Sequence, residues 1–431
     1  MTSPALDAEP ACLEVPKDEY RAPRPQPPVV PPLAAGSVRV EPRDRASIPR
    51  AAWDRLAAAN PWATPFSAWA FQRAWWDAYG DNAHEQTLVL VAADAPRARA
   101  GAMGLERDGS LRPGPDGDDI LAIVPLMHRH AVEPGDAERH TTLRHDHGAD
   151  LTPVPASSKA IYFGASYHAD YATVLARPVD LPAVAEALVE HLCEACRPGA
   201  PEQPWDVVDL RRIRCADPTG DALAEAFRRR EIAEGWTLDL EREDACPVVS
   251  LPVGSTMDGF LATLDGKVRH EIRRKVRRAE AAGAVELAES VDPLADLEAF
   301  IELHQRRWGD EGLFPPTIGG LQSRVFVRRL FELFRPDGAV RLSFLSVGGR
   351  RIAAGLTFET PDVVLYYNAG IDPDARGLSP GVVLVERLIR RALERGQRRF
   401  DFLRGDEGYK YEWGGTDEPI QRLLVRRRVV A

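Results

Sequence analysis

Near the end of the chain, DFLRGDEGYKYEW (residues 401–413) interleaves carboxylates, bases, phenols and glycines. Residue types of this kind can do acid–base work, with a carboxylate taking a proton, a phenol giving one up and a cation holding an anion. Upstream, YYNAGIDPDARGLSPGVVLVERLI contains a glycine-rich turn that opens a helix. Unpaired N–H groups at the positive end of a helix dipole make a ready site for a phosphate or pyrophosphate. Gly377 and Gly381 bracket that turn, Ser379 stands where it can cap the helix, Arg376 adds charge and Pro380 suits the first turn. A third stretch, KVRHEIRRKVRR (267–278), repeats Val268, Ile272 and Val276 every four residues, one narrow apolar stripe on a helix. Arg269, Arg273, Arg274, Lys275, Arg277 and Arg278 fall on its other faces, which read as either solvated or anion-recruiting.

Other chemistries find less support. The net charge of −10 works against binding nucleic acid or anionic membrane through the surface as a whole, so a local basic run stands out. No apolar run approaches the ~20 residues of a membrane-spanning helix, and the acidic MTSPALDAEPACLEVPKDEY lacks the order of a secretion signal, so a cytoplasmic protein is expected. The odd, scattered cysteines suit a reducing compartment; Cys193 and Cys196 form a C-x-x-C at a helix end, with no second pair to complete a zinc set. His145, His147 and Asp150 cluster, but H-x-H-x-x-D matches no zinc spacing, and no metal is expected. No G-x-S-x-G elbow, P-loop or dinucleotide fingerprint is present, which favours direct group transfer.

The elements that must position these residues alternate in an α/β manner. RAPRPQPPVVPPLAAG predicts a disordered, polyproline-like tail over residues 1–37. Residues 38–246 read as one lobe: helices up to DAYG, strands at EQTLVLVAAD and DDILAIVPLMHRH, a helix at LPAVAEALVEHLCEAC, a strand at WDVVDLRRI, a helix at DALAEAFRRREIAEG and a strand near WTLDLE. Residues 247–431 restart the cycle with one helix across STMDGFLATLDGKVRHEIRRKVRRAEAAG, ended by Gly283. The strand AVELAES, helices at DLEAFIELHQRRW and RVFVRRLFELF, a three-strand meander, the helix SPGVVLVERLIRRALERG and strands at RRFDFLRG and QRLLVRRRVV follow. The order repeats weakly between lobes, a hint of duplication. The expected class is α/β (α+β), with a mixed, mostly antiparallel sheet in each lobe flanked by helices.

In this context the chain resembles the GNAT superfamily of N-acyltransferases, in particular its CelD-like (BioF2-like) branch, related to the FemABX aminoacyl-tRNA-dependent transferases. RGLSPG is similar to the Q/R-x-x-G-x-G/A turn whose amides hold an acyl-CoA pyrophosphate, with Ser379 in place of the central glycine. KVRHEIRRKVRRAEAAG resembles the branch's R-x-x-[LI]-R-R helix, FIELHQRRWGDEG its L-H-x-x-R-W helix and LSVGGRRIAAGLTF its G-x-x-[IV]-A-A hairpin. DFLRGDEGYKYEW resembles its D-F-x-x-G-x-E-x-Y-K-x-x-W segment. The likeness is close over about 250–425 and looser in the first lobe, where YFGASYHADYATVLA looks like a Gly-then-Asp-Tyr element. It implies tandem GNAT-like lobes, the first degenerate, and transfer of an acyl group from acetyl-CoA or another acyl-CoA to an amine of a small molecule, amino sugar or envelope-glycan precursor. No metal is implied. On this likeness Arg376, Gly377, Ser379 and Gly381 hold the cofactor, and Asp401, Glu407 and Tyr409 are the acid–base candidates. Arg404 and Lys410 become anion partners, Trp308 and Trp413 wall the acceptor pocket, and Arg273 contacts substrate. The basic helix then serves coenzyme A phosphates, a tRNA acceptor end or an anionic glycan or lipid. The competing readings are a FemX-like transferase fed by aminoacyl-tRNA and a non-catalytic binder of glycan or lipid precursors.

Overall fold

The computed structural model describes residues 31–34, 36–94, 117, 119–129, 151–155, 157–200, 204–309, 312–336 and 338–427. Residues 1–30 of the tail expected over 1–37 and the cluster of His145, His147 and Asp150 lie outside them. Met1–Pro32 forms a unit of its own, and all that follows concerns the second unit, Leu33–Ala431.

Two halves of that unit repeat one order of elements. The first runs β1 (Val38–Pro42), α1 (Arg50–Ala59), α2 (Trp69–Tyr79), β2 (His84–Ala92), β3 (Ile120–Arg129), β4 (Ala160–Phe163), α3 (Leu181–Glu194), β5 (Val207–Arg214), α4 (Pro218–Arg228), the one-turn α5 (Glu231–Glu234) and β6 (Trp236–Ser250). After α6 (Met257–Thr263) and α7 (Gly266–Ala282), the order returns as β7 (Val285–Glu289), α8 (Leu297–Trp308), α9 (Ile318–Phe334), β8 (Val340–Val347), β9 (Arg350–Glu359), β10 (Val363–Ile371), α10 (Pro380–Glu394), β11 (Arg399–Asp401), α11 (Gly408–Glu412) and β12 (Thr416–Arg427).

Among the described residues the strands join into one sheet, in the order β1-β2-β3-β4-β5-β12-β6-β11-β10-β9-β8-β7. Pairing is antiparallel except at β4 with β5 and β10 with β11, the matching place in each half. This is the expected mostly antiparallel α/β class in tandem form. The middle of the sheet is an exchange: β12, which ends the second half, pairs with β5 of the first, while Val248–Ser250 at the end of β6 pair with β11 of the second. Arg422 on β12 seals this seam. It is fully buried and donates two hydrogen bonds to Asp209 of β5 (2.7 and 2.8 Å), one to Glu241 of β6 (3.0 Å) and one to the Thr152 carbonyl (2.7 Å). Such saturation is what a buried guanidinium needs to offset its desolvation.

On one face α2 and α9 pack together across the halves, with Phe66 and Phe71 edge-on to Phe358 and Phe326. Each such ring contributes roughly 1.5–3 kcal/mol by leaving water. α3 and α4 cover the first half's other face, and α7 and α10 the second's. Two local differences from the sequence expectation have plain causes. The single helix expected over 255–283 is broken after Thr263, because the Asp265 carboxylate accepts from the Lys267 and Val268 amides and caps α7 afresh. The strand expected near 236–241 continues to Ser250, because β12 and β11 pair along its length.

Candidate functional site

β10 and β11 stay paired for only three registers, Val363–Arg399 to Leu365–Asp401. Beyond them β10 runs on to Ile371 through a bulge at Tyr366–Asn368. The other chain turns away through Leu403 and Gly405, both at positive φ, into α11. Parting strands expose side chains on both sides of the gap, and two cavities open there, of about 420 and 340 Å³. Tyr366, Tyr409 and Arg307 line both, so they form the throat where the cavities meet.

The larger cavity lies between α7 and the start of α10. Val268, Ile272, Val385 and Trp413 make it apolar, Lys267 and Lys275 bring charge, and Gly381 borders it at the second position of α10. A Cβ on Gly381 would stand 3.1 Å from Ile371 Cδ1, so glycine keeps the helix start open. Ser379 sits at the N-cap of α10 as expected, but does not act as the expected cap. Its backbone is left-handed (φ 53°, ψ 53°), and its Oγ accepts from Arg278 of α7 at 2.6 Å instead of from a helix amide. The place where the resembling turn carries glycine thus has the backbone that glycine adopts most easily. Gly377 borders open space, and Arg376 is exposed. The basic helix spends much of its charge internally: Arg273 on Asp258, Arg274 and Lys275 on Glu271, and Arg269 on the Ala262 carbonyl. Arg273, expected to contact substrate, lines neither cavity; Lys267 and Lys275, which repeat with Glu271 at four-residue spacing, do.

The smaller cavity draws its walls from both halves. Tyr167, His168 and Asp170 come from the turn after β4, His304, Arg307 and Trp308 from the end of α8, and Arg404, Glu407, Tyr409 and Lys410 from the segment after β11. Its charges are largely paired: Arg404 Nε lies 3.3 Å from Asp170 and Lys410 Nζ lies 2.8 Å from Glu407. Lys410 is buried and also donates to the carbonyls of Leu403, Arg404 and Gly405 at 2.8–3.1 Å, which fixes the loop carrying Glu407. Trp308 lines this cavity, whereas Trp413 lines the other, so the two tryptophans expected to wall one pocket stand in different ones. Asp401 lines neither. It is buried, accepts from the Tyr171 hydroxyl (2.9 Å) and the Leu403 amide (2.8 Å), and burial pushes its carboxyl above the usual range against the pull of Arg214. Burial likewise raises the Tyr366 phenol to about 12 and raises that of Tyr409, with Arg307 opposing both shifts.

His168 carries the least legible part of the site. Tyr367 can only donate to the His168 carbonyl (3.2 Å), so toward the ring its oxygen accepts from Nδ1–H (3.1 Å). Nε2 then accepts from Tyr79 (2.7 Å), whose oxygen accepts from Ser323 (2.9 Å); this assignment follows from the network. Burial, then the positive Arg404, push the imidazole down to about 3, and it is neutral. Asp170 belongs to the YFGASYHADYATVLA stretch, and only the fold brings it to Arg404. In the C-x-x-C, burial pushes the Cys193 thiol up to about 12, away from thiolate chemistry.

Residues 266–411, a stretch that includes the split, α7 and the α10 turn, match the family model described as Acetyltransferase (GNAT) domain. Among solved structures, that of FemX is similar over 89% of this chain and 96% of its own, at 11% identity and a TM-score of 0.51, which shows a shared fold. A conserved protein of unknown function from Bacteroides thetaiotaomicron aligns over 91% of this chain and 100% of its own (12% identity, TM-score 0.49). A tandem GNAT protein from the clavulanic acid biosynthesis pathway aligns over 90% and 98% (10% identity, TM-score 0.41). No curated protein matches the sequence.

Proposed function

We propose that the chain transfers an acyl group from acetyl-CoA or another acyl-CoA directly to an amine. The observation that carries this is the pair of cavities at the β10–β11 split that share Tyr366, Tyr409 and Arg307, one under the start of α10 and one walled by paired charges. The larger suits the donor: Gly381 leaves room for a pyrophosphate at a helix start, Ser379 and Gly377 shape the turn, and Arg376 and Lys267 supply charge. The smaller suits the acceptor.

Meeting at the throat places the amine against the thioester carbonyl, which is most of what an uncatalysed aminolysis lacks. Glu407, fixed by Lys410, takes the amine proton as the N–C bond forms. As the C–S bond breaks, Tyr409 gives its phenolic proton to the departing thiolate; burial keeps the phenol protonated until that moment. Asp401 takes the role of holding Tyr171 rather than of a base, since it faces neither cavity.

The test is binding and turnover together. Acetyl-CoA should raise the melting temperature, and Gly381→Asp, which sets a carboxylate where the pyrophosphate would lie, should remove that shift. In thiol-release assays against a panel of amines, Glu407→Gln and Tyr409→Phe should each lower kcat by about 10²–10⁴-fold. Unchanged acyl-CoA affinity in Gly381→Asp overturns the donor assignment.

A second reading, transfer from an aminoacyl-tRNA, draws on the exposed Lys267 and Arg277 of α7. It expects RNA retention that fades with salt.

A further inference from the structure

Two adjacent arginines end α8 and meet different fates. Arg306 is held by Asp372 (2.8 Å) and Asp374 (2.7 Å) and fastens α8 to the loop after β10. Arg307 has no carboxylate partner among the described residues: its guanidinium lies over the Trp308 ring, 4.3 Å from the centroid, on the wall of the smaller cavity and at the throat. An arginine stacked on an indole keeps its N–H fork free for a planar anion.

The other charges of the smaller cavity cancel in pairs, Asp170 with Arg404 and Glu407 with Lys410, while His168 is neutral. Among the described residues, Arg307 therefore leaves that wall with an uncompensated positive charge. A bare alkylammonium entering such a cavity is repelled; a molecule that also carries an acid is drawn in and oriented. The aromatic walls of Trp308, Tyr366 and Tyr409 suit the body of a small acceptor.

From this arrangement we infer that Arg307 anchors a carboxylate or phosphate on the acceptor, so that the acceptor class is an amine bearing an acidic group. The amine half of this statement rests on the acyltransferase reading; the anion half rests on the cavity alone. Arg307 is a specificity residue here. The rival role, holding the phosphates of the donor, is separable because Arg307 also borders the larger cavity.

The experiment uses full-length protein and matched amines that differ only in the acid: glycine against glycinamide, and glucosamine 6-phosphate against glucosamine. Binding is read by calorimetry, and turnover by thiol release from acetyl-CoA. The acid-bearing member of at least one pair should bind roughly tenfold or more tightly than its neutral partner. Arg307→Gln should bring that ratio close to one and Arg307→Lys should retain part of it, with coenzyme A affinity unchanged in both. The inference is overturned if neither acid is preferred, or if Arg307→Gln weakens coenzyme A and leaves the acid preference intact. Arg307-dependent binding of the acids without any acetyl-CoA binding would uphold the anchor and sink the donor assignment instead.

Discussion

Ser379 occupies backbone space that costs an L-residue about 1–2 kcal/mol, and one exposed hydrogen bond from Arg278 helps to hold it there. Ser379→Ala keeps the strain and loses the bond, so it should be less stable than wild type. Ser379→Gly loses the same bond and sheds the strain, and should be more stable than the alanine variant by about 1 kcal/mol; thermal melts of the three proteins decide the order. His168 gives a pH signature. Its folded value of about 3 lies below the ordinary 6.5, so between those limits the unfolded chain takes up a proton that the folded one refuses. This contribution is complete above pH 6.5 and is lost as pH falls toward 3. His168→Gln should flatten that part of the acid limb in a pH series of melting temperatures. Tyr79 and Tyr367 contact the ring through hydroxyls, Ser323 bonds the Tyr79 hydroxyl behind it, and Arg404 is the cation facing it. Sequence showed the turn, the basic helix and the 401–413 segment because each is a local pattern. It did not show that Asp401 binds Tyr171, nor that Asp170 and His168 join the cavity wall, because their partners are more than 80 residues away along the chain.

Elements were legible where hydrophobic period and capping residues agreed, as in α10 with Pro380 in its first turn and Arg391 in its last. They were misjudged where partners decide, as in β6. One contact couples an element to the site. At Gly370 the backbone of α8 lies so close to β10 that an added Cβ would stand 2.6 Å from the His304 amide nitrogen. Backbone cannot swing aside as a side chain can, so Gly370→Ala should push α8 outward at a cost of about 1–3 kcal/mol. Arg307 and Trp308 follow one turn later, so the variant should lose acceptor affinity while keeping coenzyme A affinity, as measured by calorimetry.

For the whole molecule the two-lobe division over 38–246 and 247–431 is a proposal about history more than about stability. The matching element order and matching parallel joints support duplication. Yet β12 lies between β5 and β6, so neither half closes its sheet alone. Calorimetry should show one unfolding transition for residues 33–431. Arg422→Ala, which leaves Asp209 buried beside Arg211 with its main partner gone, should lower stability by about 3–5 kcal/mol without splitting that transition. Two resolved transitions would count against this account of the seam.

The inlaid last strand also sets a timetable. On the ribosome β5 is made long before β12, and at ~5–20 residues per second the intervening chain takes on the order of ten to forty seconds to emerge. During that interval the Val207–Arg214 strand has an open edge where β12 will lie, the kind of edge that recruits other chains. The nascent first half must therefore be shielded or remain only partly closed until β12 arrives, which makes yield sensitive to synthesis rate and chaperone supply.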